Sequence, residues 1–146
     1  MIYLDASVLF SLYFRDRFTA EALHLANAAT EPLLVSTFCE METVNAFAVR
    51  VFRREMSGRN MDVAVKDLDD DLRSGFLQLR LIPDAAFTRA QALSKKLTPS
   101  VGVRAADLLH ISAALELGAT SLYTLDRRQH EAARAAGLLV NQLPPT

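Results

Sequence analysis

Four acidic residues of this sequence stand in apolar or small-residue surroundings: Tyr-Leu-Asp5-Ala-Ser, Met-Glu42-Thr-Val-Asn, Ala-Ala-Asp107-Leu-Leu-His and Thr-Leu-Asp126-Arg-Arg. A carboxylate among core residues loses hydration, which favours its neutral form unless a cation or hydrogen-bond donors compensate. Four of them gathered together would also repel one another. A divalent cation removes that conflict, because Mg²⁺ or Mn²⁺ prefers oxygen ligands and keeps waters that a substrate can displace.

Taken singly, each residue has a plainer reading. Asp5 and Asp126 read as helix or turn caps, and Glu42 as an exposed residue favoured by the dipole at the start of its helix. Asp107 precedes Leu108, Leu109, Ile111 and Leu115, which should be buried, although a carboxylate at a helix start can be purely stabilising. Ser7 and Thr124 can orient a metal-bound water or cap backbone amides. Asn45, three residues after Glu42, lies on the same helix side and can hydrogen-bond to it. Arg104, three residues before Asp107, can pair with an acidic group or bind a phosphate. His110, three residues after Asp107, can join the site but reads first as a structural histidine with a satisfied hydrogen bond, and His24 and His130 have no catalytic spacing, so no histidine is assigned as general base. The run Asp67 to Leu72 reads as a solvated helix face with Leu68 and Leu72 inward. Arg50, Arg53 and Arg54 read first as a solvated basic face, and second as a contact for phosphate or a partner.

These residues need elements to position them. Ile2 to Leu4 reads as a strand, with Asp5-Ala6-Ser7 capping a helix that contains Val8, Leu9, Leu12 and Tyr13. Ala20 to Ala29 reads as a helix and Leu33 to Val35 as a strand. Ser36-Thr37 starts a helix running to Ser57-Gly58, with Met41, Val44, Phe47, Ala48 and Val51 on one face. Helices are expected over Met61 to Gly75 and Ala85 to Leu97, a strand over Leu79 to Ile82, and a loop over Thr98 to Val103. A buried helix over Ala105 to Leu117, a strand over Ser121 to Thr124, a helix over Arg128 to Ala136 and a strand over Leu138 to Val140 follow. Such alternation implies an α/β fold with a parallel sheet covered on both faces. Sites in such sheets form beyond the carboxyl ends of the strands, where Asp5 and Asp126 fall.

Composition sets the frame. With 146 residues, 51% hydrophobic and 23% charged, the chain suits one domain over 1–146 with a frayed tail at about 143–146. The lone Cys39 allows no internal disulfide, and no Cys/His spacing suggests zinc. There is neither a leader-like N-terminus nor an apolar run near the roughly 20 residues of a membrane span. A soluble, cytoplasmic protein is expected. Sixteen Lys+Arg against seventeen Asp+Glu give a net charge of -1, so contact with nucleic acid must be local.

In order and spacing these motifs resemble the PIN-domain nucleases, particularly VapC-type toxins of bacterial and archaeal toxin–antitoxin pairs. The similarity runs from Ile2-Tyr3-Leu4-Asp5-Ala6-Ser7, through Ser36 to Ala46 with Glu42 rather than Glu40 as the acidic residue, to Gly102 to Ala114 and Leu122 to Arg127. One departure is His130, where relatives often carry an apolar or aromatic residue. The resemblance implies a three-layer α/β/α sandwich with a parallel sheet of about five strands. It also implies Mg²⁺- or Mn²⁺-dependent endoribonuclease activity, with Asp5, Glu42, Asp107 and Asp126 as catalytic metal-site residues. An antitoxin partner and a homodimer are implied as well, with Phe10, Leu12, Tyr13 and Phe14 as candidate contact residues that packing in the core would equally explain. Two rivals differ in class. An aspartyl phosphotransferase could use Asp5 as nucleophile, but such phosphatases commonly carry a second Asp two positions on, where this chain has Ser7, and Asp107 would have no role. A PIN-like scaffold that binds RNA or protein without turnover is opposed by the presence of all four acidic residues.

Overall fold

The alternating side chains of the central strands divide the core in two. In β1 (Ile2–Leu4), Tyr3 packs into one apolar cluster while Ile2 and Leu4 pack into another; in β2 (Leu33–Ser36), Leu34 joins Tyr3 while Leu33 and Val35 join Ile2 and Leu4. A strand's two-residue period requires this split when both faces of the sheet are covered. The computed structural model describes residues 1–143, and the expected tail from 144 onward lies outside the described residues.

Between and after these strands run α1 (Ala6–Tyr13), α2 (Thr19–Ala28), α3 (Thr37–Phe52), α4 (Gly58–Ser74), β3 (Leu77–Arg80), α5 (Asp84–Val101), α6 (Ala105–Glu116), β4 (Ser121–Tyr123), α7 (Arg127–Ala135) and β5 (Leu139–Val140). All pairings are parallel, and the strand order is β3-β2-β1-β4-β5. Helices α1 to α4 supply the cluster around Leu4, Val35 and Leu68, and α5 to α7 supply the cluster around Tyr3, Ile111 and Leu122. The result is a three-layer α/β/α sandwich. The chain leaves β1 for β2 on one side, and β4 returns to pair on the other. The crevice at the carboxyl ends of β1 and β4 is thus the topological switch point, where such sheets place their sites.

Several boundaries differ from the sequence reading. Helix α3 stops at Phe52 rather than near Ser57, and Arg54 adopts a left-handed φ of 60° that ends it. Its buried stripe is Cys39, Thr43 and Phe47, spaced by four, so that Met41 is 54% exposed and Ala48 faces solvent. Helix α4 begins at Gly58, three residues before Met61, because Ser57 caps it through Asn60 N–H. The third strand lies two residues earlier than Leu79 to Ile82, since Leu77 is the residue that pairs with Leu33 and is buried, whereas Leu81 is 78% exposed. The expected loop from Thr98 is helical through Pro99 to Val101. Proline so near the helix end removes a single backbone bond, and Gly102, at φ 68°, closes the helix. Phe10 packs on Phe47 and is only 8% exposed, so it belongs to the core and not to a contact surface.

Candidate active site

Three helix starts carry the expected carboxylates: Asp5 and Asp126 as N-caps and Asp107 in a first turn. Asp5 caps α1, its Oδ1 accepting from Val8 N–H at 3.1 Å. Asp126 caps α7, its Oδ1 accepting from the amides of Arg128 and Gln129 at 2.8 and 3.1 Å. Asp107 lies in the first turn of α6 and accepts from Arg104 N–H at 3.2 Å. For Asp5 and Asp126 the capping role and a place at the sheet's carboxyl edge coincide, because a helix that follows a parallel strand starts at that edge; α6 follows α5 instead, and its start meets the Asp126 loop through Arg104. Unpaired amides and the helix dipole favour negative charge at each start.

Asp5 is 3% exposed and is gripped from both sides. Ser7 Oγ donates to Oδ1 at 2.7 Å, and Thr124 Oγ donates to Oδ2 at 2.8 Å. Both hydroxyls also serve backbone amides, Ser7 accepting from Leu125 N–H at 2.9 Å and Thr124 from Asp126 N–H at 3.0 Å. Each therefore takes a backbone amide, the commoner of the roles read from the sequence, while also gripping Asp5, and Thr124 ties Asp5 to the Asp126 loop. Thr124 N–H in turn donates to Asn141 Oδ1 at 2.9 Å, and Asn141 O faces His130 Nε2 at 2.8 Å. The unusual His130 thus braces the segment after β5. Burial pushes the Asp5 carboxyl above its ordinary value, against the opposing hydrogen bonds from Ser7, Val8 and Thr124.

Arg104 is the cation among these carboxylates. Its Nε lies 3.0 Å from Asp107 Oδ2, and its Nη2 lies 3.1 Å from Asp107 Oδ1 and 3.4 Å from Asp126 Oδ2. Asp107 is the main cause that holds the Arg104 guanidinium above its already high ordinary value.

Glu42, in the second turn of α3, reaches across the sheet edge to His110 Nε2. Glu40 takes no part in this contact, and its carboxyl is pushed up by partial burial and by Asp69 of α4. Glu42, Asn45, Ala46, Val49, Arg50 and Arg53 share one face of α3. With Ser7, Leu125 and Asp126 they line an open cleft of about 510 Å³. Asn45 makes no hydrogen bond to Glu42 among the described residues and lines the cleft instead. Asp5 and Asp107, the latter 5% exposed, do not line it.

Among the described residues, no three His, Cys, Asp or Glu side chains are gathered closely enough to hold a metal ion as they stand. The donor chemistry nonetheless suits one. The four side chains offer oxygen, as hard divalent cations prefer, and a positive group already bridges Asp107 and Asp126. A metal would take up the charge that the guanidinium now balances.

Sequence reasoning passed over Tyr3, read Ser36 only as part of the cap of α3, a role it fills through Cys39 N–H, and put the structural role of His110 ahead of a place in the site. Tyr3 Oη contacts His110 Nδ1 at 2.9 Å and Ser36 Oγ at 2.6 Å. The available signal was the three-residue spacing of Asp107 and His110, which puts both on one side of α6.

Comparison with known proteins agrees with this architecture. The PIN domain family pattern matches residues 2–135. No curated protein matches the sequence. Among solved structures, VapC20 of Mycobacterium tuberculosis, described as a sarcin-ricin loop cleaving toxin, is 16% identical, with a TM-score of 0.69 over 95% of this chain and 97% of that one. VapBC2 from Rickettsia felis, bound to a DNA fragment from its promoter, is 18% identical, with a TM-score of 0.68 over 97% and 98%. FitAcB from Neisseria gonorrhoeae is 16% identical, with a TM-score of 0.68 over 97% of both. These likenesses show a shared fold.

Proposed function

The chain belongs to the PIN domain family, and from that premise we propose that it is a metal-dependent endoribonuclease, the toxin of a toxin–antitoxin pair. The observation that carries this reading is the junction at the switch point. There Asp107 and Asp126 share one cation, Thr124 links Asp126 to Asp5, and Glu42 lines the adjoining cleft.

In this reading Asp5, Asp107, Asp126 and Glu42 hold Mg²⁺ or Mn²⁺. When bound, the ion would neutralise charge on the RNA phosphate, lower the pKa of a water and stabilise the leaving oxygen. The protein's own part is positioning. Ser7 and Thr124 fix both Asp5 oxygens, and the helix starts fix Asp107 and Asp126. The face of α3 offers Asn45, Arg50 and Arg53 along the cleft, with Arg53 exposed for backbone phosphates. This face supplies the local basic contact that a chain of charge -1 needs.

The phosphotransferase rival is disfavoured by Ser7, which stands where such phosphatases commonly carry a second Asp, and by Asp107, which that chemistry would leave without a role. An antitoxin partner is supported by the neighbours, which include the VapBC2 assembly. No helix among the described residues is long and apolar enough to cross a membrane. A homodimer is part of the proposal and is checked by light scattering of the purified chain.

The deciding experiment incubates the protein, freed of any copurifying antitoxin, with total RNA in Mn²⁺, Mg²⁺ or EDTA. Endonucleolytic fragments that vanish in EDTA are expected. RNA binding without cleavage under every condition would assign the chain to the scaffold class instead.

A further inference from the structure

His110 is 2% exposed, yet both of its ring nitrogens meet polar partners from distant parts of the chain. Nδ1 faces Tyr3 Oη of β1 and Nε2 faces Glu42 Oε2 of α3. The ring lies between the Tyr3 and Phe38 rings, with centroids at 5.8 and 5.0 Å, so its plane is held by packing as well.

The direction of the hydrogen bonds follows from counting protons. Ser36 Oγ accepts from Cys39 N–H at 3.1 Å, and its own proton has Tyr3 Oη, at 2.6 Å, as its acceptor. Tyr3 must then pass its proton to His110 Nδ1, because the opposite sense leaves the Ser36 proton without a partner in a buried site. With Nδ1 accepting, the neutral ring carries its proton on Nε2, where it points at Glu42. The four groups form one directed relay, Ser36 to Tyr3 to His110 to Glu42.

We propose that His110 is a positioning residue for the metal site. The relay locks its Nε2–H tautomer, and that N–H anchors one oxygen of Glu42 so that the other is presented to the cleft and the cation. Glu42 needs such an anchor more than the aspartates do. They sit at helix starts, held by backbone amides, whereas Glu42 lies in the second turn of α3 on a longer side chain with no amide to hold it. The relay also explains why Glu42 and not Glu40 takes the site position: the histidine spaced one turn after Asp107 on α6 meets only the former.

This inference rests on the nuclease reading, and its test separates the two. Mn²⁺ is titrated calorimetrically, without RNA, into the wild-type protein, His110→Leu, His110→Gln, Glu42→Ala and the double variant His110→Leu/Glu42→Ala, each checked for folding by circular dichroism. Loss of a group that orients a ligand typically weakens metal binding by about 10- to 100-fold, and His110→Leu is expected in that range. His110→Gln, which retains a side-chain N–H donor, recovers much of the loss. In the Glu42→Ala background the His110→Leu change adds nothing. Nitrogen-15 spectra of the metal-free protein should show the Nε2–H tautomer, with the preference lost in Tyr3→Phe. Wild-type Mn²⁺ affinity in His110→Leu, an equal effect with and without Glu42, or an Nδ1–H tautomer would each overturn the proposal alone. A wild-type protein that neither binds Mn²⁺ nor cleaves RNA would overturn the nuclease reading and this role with it.

Discussion

Arg104 lies across both oxygens of Asp107, at 3.0 and 3.1 Å, while one of its nitrogens also reaches Asp126 at 3.4 Å. The same guanidinium thus spans a helix-start pair three residues apart and a contact across 22 residues of sequence. It balances two carboxylates of the proposed metal site, where a bound cation would compete with the guanidinium.

Replacing Arg104 with Ala should tighten Mn²⁺ binding. The Arg104 side chain is 67% exposed, which limits its pairing to about 1 kcal/mol at most, or an affinity gain of roughly fivefold. The backbone N–H that Asp107 caps is retained, so α6 should keep its start. Calorimetry that finds equal or weaker Mn²⁺ binding would show that the guanidinium does not compete.

Asp107→Asn removes a charge from the proposed ligand set while keeping the side chain's size and its cap acceptor. Loss of a group that merely supports a ligand costs about 10- to 100-fold. Loss of a ligand charge should exceed the upper figure in metal-dependent RNA cleavage, at a melting temperature within a few degrees of wild type. Single-turnover cleavage near the wild-type rate would remove Asp107 from the site.

Asp5→Asn should separate stability from activity. The folded-state pKa of Asp5 is raised by burial, so between the unfolded and folded values the native chain holds a proton that the unfolded chain has lost. Stability therefore falls as pH rises through that interval and stays lowered above it. Asn carries no such charge, and the Thr124 hydroxyl can turn to Gln129 Oε1 at 3.1 Å as the new amide faces it. The metal-free variant is expected to melt above wild type at neutral pH, with the gap closing toward pH 4, and to lose cleavage. Melting curves across pH that show a constant gap, or a variant less stable at neutral pH, would contradict the assignment.

Arg53→Ala should act on substrate capture. Arg53 is exposed on the cleft face of α3, away from the helix starts. KM for RNA is expected to rise several-fold with kcat nearly unchanged, and the slope of log affinity against log salt should shrink by about 1 if one phosphate contact is lost. A fall in kcat at constant KM would point to a role nearer the reacting phosphate.

Much of this arrangement was legible in the residues themselves. Short apolar runs ended by Asp-Ala-Ser and Thr-Leu-Asp mark strand ends that pass into helices, so the sheet order of events and the place of Asp5 and Asp126 followed from local chemistry. Boundaries were less legible where tertiary packing outweighs local preference. Pairing with β2 chose Leu77 over Ile82 for β3, and a proline in its last turn did not stop α5.

The sequence by itself determined the alternation of strands and helices, the caps, and the identity of four carboxylates in unfavourably apolar settings, because each of these depends on neighbours within a few residues. Only the tertiary structure decided what the side chains meet. Arg104 finds Asp126 across 22 residues, His110 finds Glu42 across 68, and Tyr3 finds His110 across 107. Such contacts depend on how the layers close over the sheet, and no local periodicity encodes them. That closure makes the buried histidine a partner of Glu42 and puts an arginine between Asp107 and Asp126.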